Sequence, residues 1–326
     1  MTSVVNVAVH SSQFPENIRR DLLASLRSHR LNHKFLYDSR QQVQKWLALH
    51  ENHSPARRDM DCLRTYTRAF CKTATLVPTT GIHLLGLGCG GGQKEASLLK
   101  LLQAKSRRIS FTATDVSVPM VLEACAAARR ILPSGKINAA VFDLATAKDL
   151  AAWLLSHHNP QTPRIITFFG LIPNFEPQHV LPRLASLVRR RDWLLFSANL
   201  APGGDYFTGM KRVLPQYDNP LTHDWLLSFL DELGVPRNAG RLKFTIETGG
   251  LGLKRFVARF HFARACRIET NGKRIEFRRG DSLRLFFSYR YSEARVIATL
   301  ARYGLHVNEA WVSKSGEEGV FLCHRG

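Results

Sequence analysis

The chain has 326 residues, of which 44% are hydrophobic and 22% charged, a composition typical of a globular protein that buries a sizeable core. No run approaches the ~20 consecutive apolar residues of a membrane helix, and residues 1–13 lack a secretory signal, so we expect a cytoplasmic protein without a membrane partner. The net charge of +20 would suit a nucleic-acid partner, but the basic residues occur as dispersed pairs and triplets, which makes nucleic acid the weaker interpretation.

The six cysteines and 13 histidines are scattered along the chain. They form no C-x-x-C pair and no Cys/His cluster at metal-ligand spacing. We therefore expect reduced thiols and no metal site.

The first 75 residues are predicted to be helical. One helix is expected within residues 1–30, where apolar residues recur at helical spacing: Ile18, Leu22, Leu23 and Leu26. Further helical segments are expected over residues 31–75. Leu63, Tyr66 and Phe70 suit a hydrophobic core better than a cofactor contact.

Strands and helices alternate between residues 81 and 200. Strands are predicted at 82–87, 109–114, 138–142, 164–169 and 193–198. Helices are predicted after the first strand and at 118–131, 147–156 and 179–189. This alternation implies right-handed crossovers and a parallel sheet, with ligands at the carboxyl ends of the strands.

Past residue 200 the alternation stops. A helix is expected around 225–233, followed by strands at 242–247, 254–265, 267–277 and 282–291, with a turn at Gly272. A helix at 293–303 precedes closing strands around Trp311 and 320–323. No repeat or low-complexity linker separates this region, so it must pack on the sheet.

The chain is organised around the loop after the first predicted strand, where glycines occupy positions 88, 90, 91 and 92. In such a loop the backbone N–H groups approach a ligand closely, and the next helix adds a partial positive charge at its N-terminus. A nucleotide-like ligand is therefore expected at Gly88 and Gly90, although such a turn can also be only a tight connection.

Two acids end the neighbouring predicted strands. Asp115 can accept both ribose hydroxyls of an adenosine, and Asp143 can accept the adenine amine or cap the following helix. NAD fits poorly because the loop lacks the third glycine of G-x-G-x-x-G. S-adenosylmethionine needs room for a zwitterionic amino acid beside the loop, and Lys94 could pair with its carboxylate.

Several motifs stand in a characteristic order: Lys34-Phe-Leu-Tyr-Asp38, Leu87-Gly-Cys-Gly-Gly-Gly-Gln-Lys94, Thr114-Asp-Val-Ser117, Asp143-Leu144, Phe168-Phe-Gly-Leu-Ile-Pro-Asn-Phe175 and Gln216-Tyr-Asp218. Over roughly residues 34–323 the chain thereby resembles the histidine-specific, S-adenosylmethionine-dependent Nα-methyltransferases of ergothioneine biosynthesis. The resemblance implies an α/β, Rossmann-like class I methyltransferase fold with a second α+β substrate-binding region. It also implies S-adenosylmethionine as cofactor and S-adenosylhomocysteine as product.

We divide the chain accordingly into four segments. Residues 1–60 form an N-terminal helical segment that packs on the substrate region, and 61–200 form the Rossmann-like core. Residues 201–290 form the α+β substrate-binding insertion, and 291–326 supply a helix and strands that complete the core sheet. A monomer is the favoured oligomeric state.

The resemblance also implies roles for individual residues. The cofactor would be held by Gly88, Lys94, Asp115, Asp143 and Leu144, with Tyr37 closing over it. Asn174 and Tyr217 would grip the α-amino and carboxylate groups of an amino-acid substrate, which suits an amide that both donates and accepts and a hydroxyl that orients an amine without charge. Without the resemblance, Asn174 can equally form a turn and Tyr217 can be a core residue.

The sequence departs from the family pattern in the substrate strand. There the family carries a Glu, two residues before a Ser, to recognise the imidazole; Ser288 is present, but Phe286 stands at the Glu position. Period-two alternation puts both residues on one face, so an aromatic ring replaces a carboxylate. A tyrosine expected near Ser54 is absent, and Gly86 replaces the usual acid at the end of the first strand.

These departures bear on the substrate. Loss of a charged hydrogen-bond partner weakens binding of a polar ligand by about 1.5–3 kcal/mol, whereas a ring favours apolar or aromatic ligands. We therefore expect methylation of the amino group of an amino acid or related small amine other than histidine, with Tyr217 and Asn174 positioning the nitrogen. A nucleic-acid methyltransferase and a non-catalytic cofactor-binding relative are the alternatives.

Overall fold

A computed structural model describes residues 5–53, 59–76, 81–105, 108–156, 161–270 and 272–326. Eight of the described strands form the main sheet: β1 (Val7–Val9), β2 (Ile82–Leu87), β3 (Ile109–Asp115), β4 (Ile137–Val141), β5 (Arg164–Phe168), β6 (Trp193–Asn199), β12 (Leu305–Val312) and β13 (Glu318–Arg325). Their spatial order is β1-β4-β3-β2-β5-β6-β13-β12. The strands β1 to β6 pair in parallel, whereas β13 pairs antiparallel with both β6 and β12.

Helices cover both faces of this sheet. The described helices are α1 (Pro15–Arg27), α2 (Arg40–His53), α3 (Met60–Thr75), α4 (Gln93–Gln103), α5 (Val118–Arg129), α6 (Leu150–Ser156), α7 (Pro177–Leu187), α8 (Tyr206–Val213), α9 (Pro220–Glu232) and α10 (Glu293–Ala301). Apolar residues of α3, α4 and α5 pack on one face, and those of α6, α7 and α10 pack on the other. All six residues of β2 are buried. Leu84 packs in the core that α3, α4 and α5 cover, and Leu85 packs in the core that α6, α7 and α10 cover, which is the pattern of a strand covered on both sides.

The second region contains an antiparallel sheet in the order β11-β8-β7. Its strands are β7 (Gly240–Thr248), β8 (Lys254–Phe262) and β11 (Ser282–Tyr289), and β9 (Cys266–Thr270) pairs with β10 (Lys273–Phe277). Gly272 lies in the β9–β10 turn with φ +67°, a conformation that glycine adopts without strain. The N-terminal segment joins this region, because Leu26 and Phe35 share a core with Trp225 and Phe260.

The structure confirms the predicted α/β, Rossmann-like fold and the strands predicted between residues 81 and 200. The sequence pattern does not predict β1, because three residues are too few to show alternation. This strand is defined by its pairing, in which Val7 and Val9 lie opposite Ala139 and Val141 of β4. The four-segment division of the chain stays a prediction.

Among the described residues, no helix combines the length and the apolar character that a membrane crossing requires. The six cysteines all lie in the described part of the chain, and all six are free thiols.

Candidate active site

A cavity of about 1220 Å³ lies at the carboxyl ends of β2 to β5 and reaches the edge strand β11. A pocket for one drug-sized ligand measures about 300–1,000 Å³, so this cavity has room for a cofactor and a small substrate together. It is lined by every residue to which the sequence analysis assigns a role: Tyr37, Gly88, Gly90, Lys94, Asp115, Asp143, Leu144, Asn174, Tyr217, Phe286 and Ser288.

The glycine loop folds tightly against the end of β3. Gly88 and Gly90 have φ values of +57° and +50°, where a side chain would be strained, and a Cβ on Gly88 would also overlap Leu171. The backbone N–H of Cys89 donates to the carbonyl of Thr114 at 3.0 Å. The loop therefore presents bare backbone to the cavity and leaves no room for larger residues.

Asp115 connects the loop to the next strand. Its carboxylate accepts from the backbone N–H of Gly90 at 3.0 Å and from that of Ser117 at 3.1 Å. Burial raises the pKa of Asp115 to about 6, although these backbone hydrogen bonds act in the opposite direction. The carboxylate is thus a desolvated acceptor at the place where the sequence predicts ribose binding.

Gly86 has a structural counterpart in α4. A Cβ on Gly86 would lie 3.2 Å from Cγ of Glu95 and 3.3 Å from the side chains of Cys89 and Phe111. Glu95 is 3% exposed, and its Oε1 accepts a hydrogen bond from Thr167 Oγ1 at 2.9 Å. Burial raises the pKa of Glu95. The Glu95 side chain therefore fills the space beside Gly86, where the family's acid is missing, and directs its carboxylate to Thr167.

Asp143 uses its two oxygens differently. Oδ1 accepts from the backbone N–H of Ala145 at 2.8 Å, as in a cap, whereas the buried Oδ2 accepts no hydrogen bond from the described residues. The Lys34 ammonium lies 3.4 Å from Oδ2 and donates instead to Asp21 at 2.7 Å. The neighbouring Leu144 is buried, and its carbonyl accepts from Arg183 at 3.3 Å. Oδ2 is therefore available to a ligand donor such as an exocyclic amine.

Lys94 lies on a polar cluster inside the cavity wall. Its ammonium donates to the Tyr66 hydroxyl at 2.7 Å and stands 4.1 Å from the centroid of that ring. The hydroxyl also contacts Ser197 at 2.8 Å and the carboxylate of Glu318. Tyr66 is buried in the core, as predicted, but it also lines the cavity, where its hydroxyl faces the cationic end of Lys94. The prediction was wrong for Leu63, which is 39% exposed.

Tyr37 lies beside the cofactor end of the cavity. Burial and the neighbouring Asp115 carboxylate raise the pKa of its hydroxyl. Its ring contacts Trp46 and Trp225, with centroids 5.8 Å and 5.5 Å away. Trp46 also covers the glycine loop, because a Cβ on Gly90 would lie 3.3 Å from its ring. The sequence pattern places Trp46 in a helix but carries no sign of this contact.

The substrate end combines hydroxyls with aromatic rings. The Tyr217 hydroxyl shares a hydrogen bond with Ser288 Oγ at 3.1 Å and accepts from Asn199 Nδ2 at 3.4 Å. The Tyr217 ring lies 6.4 Å from that of Phe286, so Phe286 and Ser288 face the same side, as predicted. Asn174 ends a 3₁₀ turn that packs against β11.

Phe286 is held between rings rather than beside a carboxylate. It stacks on His33 with centroids 5.1 Å apart and meets Trp225 edge-on at 5.7 Å. A β-bulge between Arg284 and Phe286 changes the direction in which the following side chains of β11 point. The tyrosine position near Ser54 lies outside the described residues.

The model of the family described as "histidine-specific methyltransferase, SAM-dependent" matches residues 18–216 and 252–325. The chain belongs to this family. It is therefore an S-adenosylmethionine-dependent methyltransferase, and the predicted resemblance and cofactor are confirmed.

Individual relatives of this methyltransferase are distant. The N-methyltransferase imqF of Aspergillus flavus is 21% identical over 275 residues, which cover 82% of this chain and 73% of that protein. Among solved structures, OxaC in complex with S-adenosylhomocysteine and oxaline matches with a TM-score of 0.47 and 12% identity, covering 89% of this chain and 53% of OxaC. The CcbJ methyltransferase of Streptomyces caelestis matches with a TM-score of 0.42 and 11% identity, covering 80% and 94% of the two chains.

Three polar residues that the sequence analysis did not single out also line this methyltransferase's cavity: Glu95, His33 and Arg284. Each lies in an element whose periodicity indicates only a helix or strand. Their significance depends on what they face, which is a matter of packing between distant segments. Glu95 directly follows Lys94, but in the sequence it reads as an ordinary helix residue.

Proposed function

We propose that this methyltransferase transfers a methyl group to the amino group of an amino acid or related small amine other than histidine. The family match and the N-methyltransferase relative support nitrogen as the acceptor. The observation that carries the substrate proposal is the environment of the Tyr217 hydroxyl, in which Phe286 replaces a carboxylate.

This environment favours an uncharged amine, which is the form that can accept a methyl group. The hydroxyls of Tyr217 and Ser288 orient a nitrogen by hydrogen bonding without attracting a proton to it. The Arg290 guanidinium lies 5.4 Å from the centroid of the Tyr217 ring and disfavours an ammonium there. Positioning and desolvation of the amine then supply most of the catalysis, because no strong base is needed. Asn174 and Tyr217 are the proposed positioning groups.

The residues at the cofactor end fit S-adenosylmethionine, which when bound supplies an electrophilic methyl group and leaves as S-adenosylhomocysteine. We assign the ribose to Asp115 and the adenine amine to Oδ2 of Asp143, which accepts no hydrogen bond from the described residues. Backbone at Gly88, Gly90 and Leu144 lies beside the cofactor, Lys94 pairs with its carboxylate, and Tyr37 covers it.

Phe286, which stands where the family carries a Glu, disfavours histidine as a substrate. An imidazole bound in this family needs an acceptor for its ring N–H, and Phe286 supplies a ring already stacked on His33. A missing charged hydrogen bond costs about 1.5–3 kcal/mol, or roughly 10- to 150-fold in affinity.

The test is a screen of the twenty amino acids and common amines for S-adenosylhomocysteine production. We expect turnover with amines other than histidine, and loss of most of it in Tyr217→Phe and Asn174→Ala, whereas Tyr303→Phe outside the cavity keeps wild-type rates. A response to histidine alone would contradict the proposal.

The family match does not favour the alternative of a nucleic-acid methyltransferase. That alternative requires a steep loss of RNA or DNA binding with salt, whereas small-amine turnover should depend weakly on ionic strength. Absence of turnover with every amine, together with binding of S-adenosylhomocysteine, would instead support a non-catalytic relative. Monomeric state and cytoplasmic location stay predictions.

A further inference from the structure

The cavity wall beyond Phe286 is basic. Arg284, Arg30 and His33 line it, with Arg255 packed behind them. Arg255 donates to Glu176 at 2.7 Å, and the other oxygen of Glu176 accepts from the Tyr289 hydroxyl at 2.6 Å. Both oxygens of the acid nearest to this cluster are therefore committed.

The Arg284 guanidinium has no acid of its own. It lies over the Phe287 ring at 4.8 Å, and within the described residues its side chain makes no hydrogen bond or ion pair. Burial and the neighbouring guanidinium groups of Arg255 and Arg30 lower its pKa to about 10, although the Glu176 carboxylate acts in the opposite direction. A partly buried cation held beside other cations is costly unless an anion joins it.

His33 adds a donor to the same wall. Its Nε2 accepts from the backbone N–H of Phe287 at 3.1 Å, so the ring hydrogen resides on Nδ1. Nδ1 is buried and has no partner among the described residues. Burial, Arg284 and Arg255 lower the pKa of His33 to about 3, so the ring is neutral near pH 7. This part of the wall thus offers N–H donors, and the carboxylate beside it, Glu176, already accepts from Arg255 and Tyr289.

On the basis of the proposed function, we propose that the amine substrate carries an oxyanion, a carboxylate or a phosphate, at the end remote from its amino group, and that Arg284 binds it. The guanidinium fork suits bidentate contact with either group. Arg284 and Ser288 are four residues apart on a bulged strand, roughly 10–13 Å along the backbone. The bulge puts Arg284 on the same face as Phe287, opposite Phe286 and Ser288, and all four residues line the cavity along this strand edge. The two phenylalanine rings favour an aromatic or apolar linker.

This assignment inverts the chemistry of the pocket relative to the family pattern. A carboxylate at position 286 would select a substrate group that donates hydrogen bonds, whereas Arg284 selects a group that accepts them. The specificity for amines without a basic side chain then has two causes. Position 286 carries no hydrogen-bond acceptor, and the Arg284 guanidinium lies nearby without an ion pair among the described residues.

The experiment compares substrates that differ in one charge: glutamate with glutamine, 4-carboxyphenylalanine with phenylalanine, and phosphotyrosine with tyrosine. The ratio of kcat/KM within each pair is measured for wild type, Arg284→Gln, Arg284→Lys and Arg259→Gln. Arg259 lies opposite Arg284 in the strand pair but pairs with Glu247 and is not in the cavity wall, so its variant is the matched control for charge.

We expect wild type to prefer at least one anionic member by about 10- to 100-fold. Arg284→Gln should remove that preference while leaving turnover of the neutral member within about threefold, and Arg284→Lys should restore part of it. Arg259→Gln should retain it. The carboxylate and phosphate pairs distinguish the two oxyanions, and calorimetry of the same compounds with the S-adenosylhomocysteine-bound protein gives a readout that is independent of turnover.

Equal or better use of the neutral members by wild type, or an unchanged preference in Arg284→Gln, would overturn the oxyanion assignment while the amine methyltransferase proposal stands. Absence of turnover with any amine would contradict the proposed function, and in that case equal calorimetric affinities within every pair would overturn the oxyanion assignment separately.

Discussion

The two ends of the cavity are built on opposite electrostatic principles. The cofactor end carries three carboxylates at or beside the carboxyl ends of parallel strands: Asp143 and Glu95, which are buried, and Asp115, which is partly buried. The substrate end carries rings and guanidinium groups on an antiparallel edge strand, with Phe286 and Arg284 as its central residues. The first end keeps the family pattern except at Gly86, whereas the second departs from it at Phe286, and the proposed change of substrate rests on that second departure.

The difference has a topological cause. The cofactor end is made by local strand–loop–helix connections, in which a few residues of sequence determine where a carboxylate lies. The substrate end joins segments more than 250 residues apart, such as His33 and Phe287. We therefore expect a single substitution to change the substrate end without disturbing the cofactor end.

The largest effect is expected from Asp115→Ala. The change removes the acceptor assigned to the ribose and releases the Gly90 N–H, so we expect S-adenosylhomocysteine affinity to fall by about 100-fold or more, as for two charged hydrogen bonds. Calorimetry measures the affinity. Glu123→Ala, an exposed acid on α5, removes the same charge and should bind normally; equal weakening in both variants would point to general electrostatics.

Phe286→Glu tests whether the substrate end can be returned to the family chemistry. A carboxylate at this position can accept from an imidazole, so kcat/KM for histidine should rise by about 10-fold or more. Phe286→Gln has a similar size without the charge and should give a smaller gain. Affinity for S-adenosylhomocysteine should stay unchanged in both. No gain with histidine in Phe286→Glu would show that position 286 alone does not determine the substrate.

Gly86→Asp tests whether Glu95 occupies the place of the strand-end acid. The new Cβ would meet Glu95, Cys89 and Phe111 at 3.2–3.3 Å, and two buried carboxylates would repel, so we expect a loss of about 1–3 kcal/mol in the free energy of unfolding. Denaturant unfolding measures it. In the double variant with Glu95→Ala the loss should be less than additive; simple additivity would mean that the two positions do not share one space.

The smallest effect concerns pH. The pKa of Asp115 near 6 lies above its ordinary value, so protonation of the free enzyme competes with the ribose hydroxyls below that pH. Affinity for S-adenosylhomocysteine should be full above about pH 7 and should fall by up to about tenfold per unit as pH drops through 6. Asp115→Asn should bind weakly at every pH without this slope. A persistent slope in that variant would assign the titration to another group.

The sequence by itself determined the parallel sheet, the glycine loop and the acids that end its strands. It could do so because residues 81–200 alternate regularly, and because parallel strands bring their carboxyl ends to one edge whatever the rest of the chain does. The substitution at Phe286 was equally visible, since period two places it beside Ser288.

Only the tertiary structure decided what surrounds those residues. Glu95 fills the space beside Gly86 because α4 packs against the end of β2, and His33 reaches Phe286 because the N-terminal segment runs along the edge of β11. Arg284 makes no ion pair among the described residues, whereas the nearby Glu176 accepts from both Arg255 and Tyr289. Such contacts depend on distances between segments far apart in the chain, and no local pattern of residues encodes them.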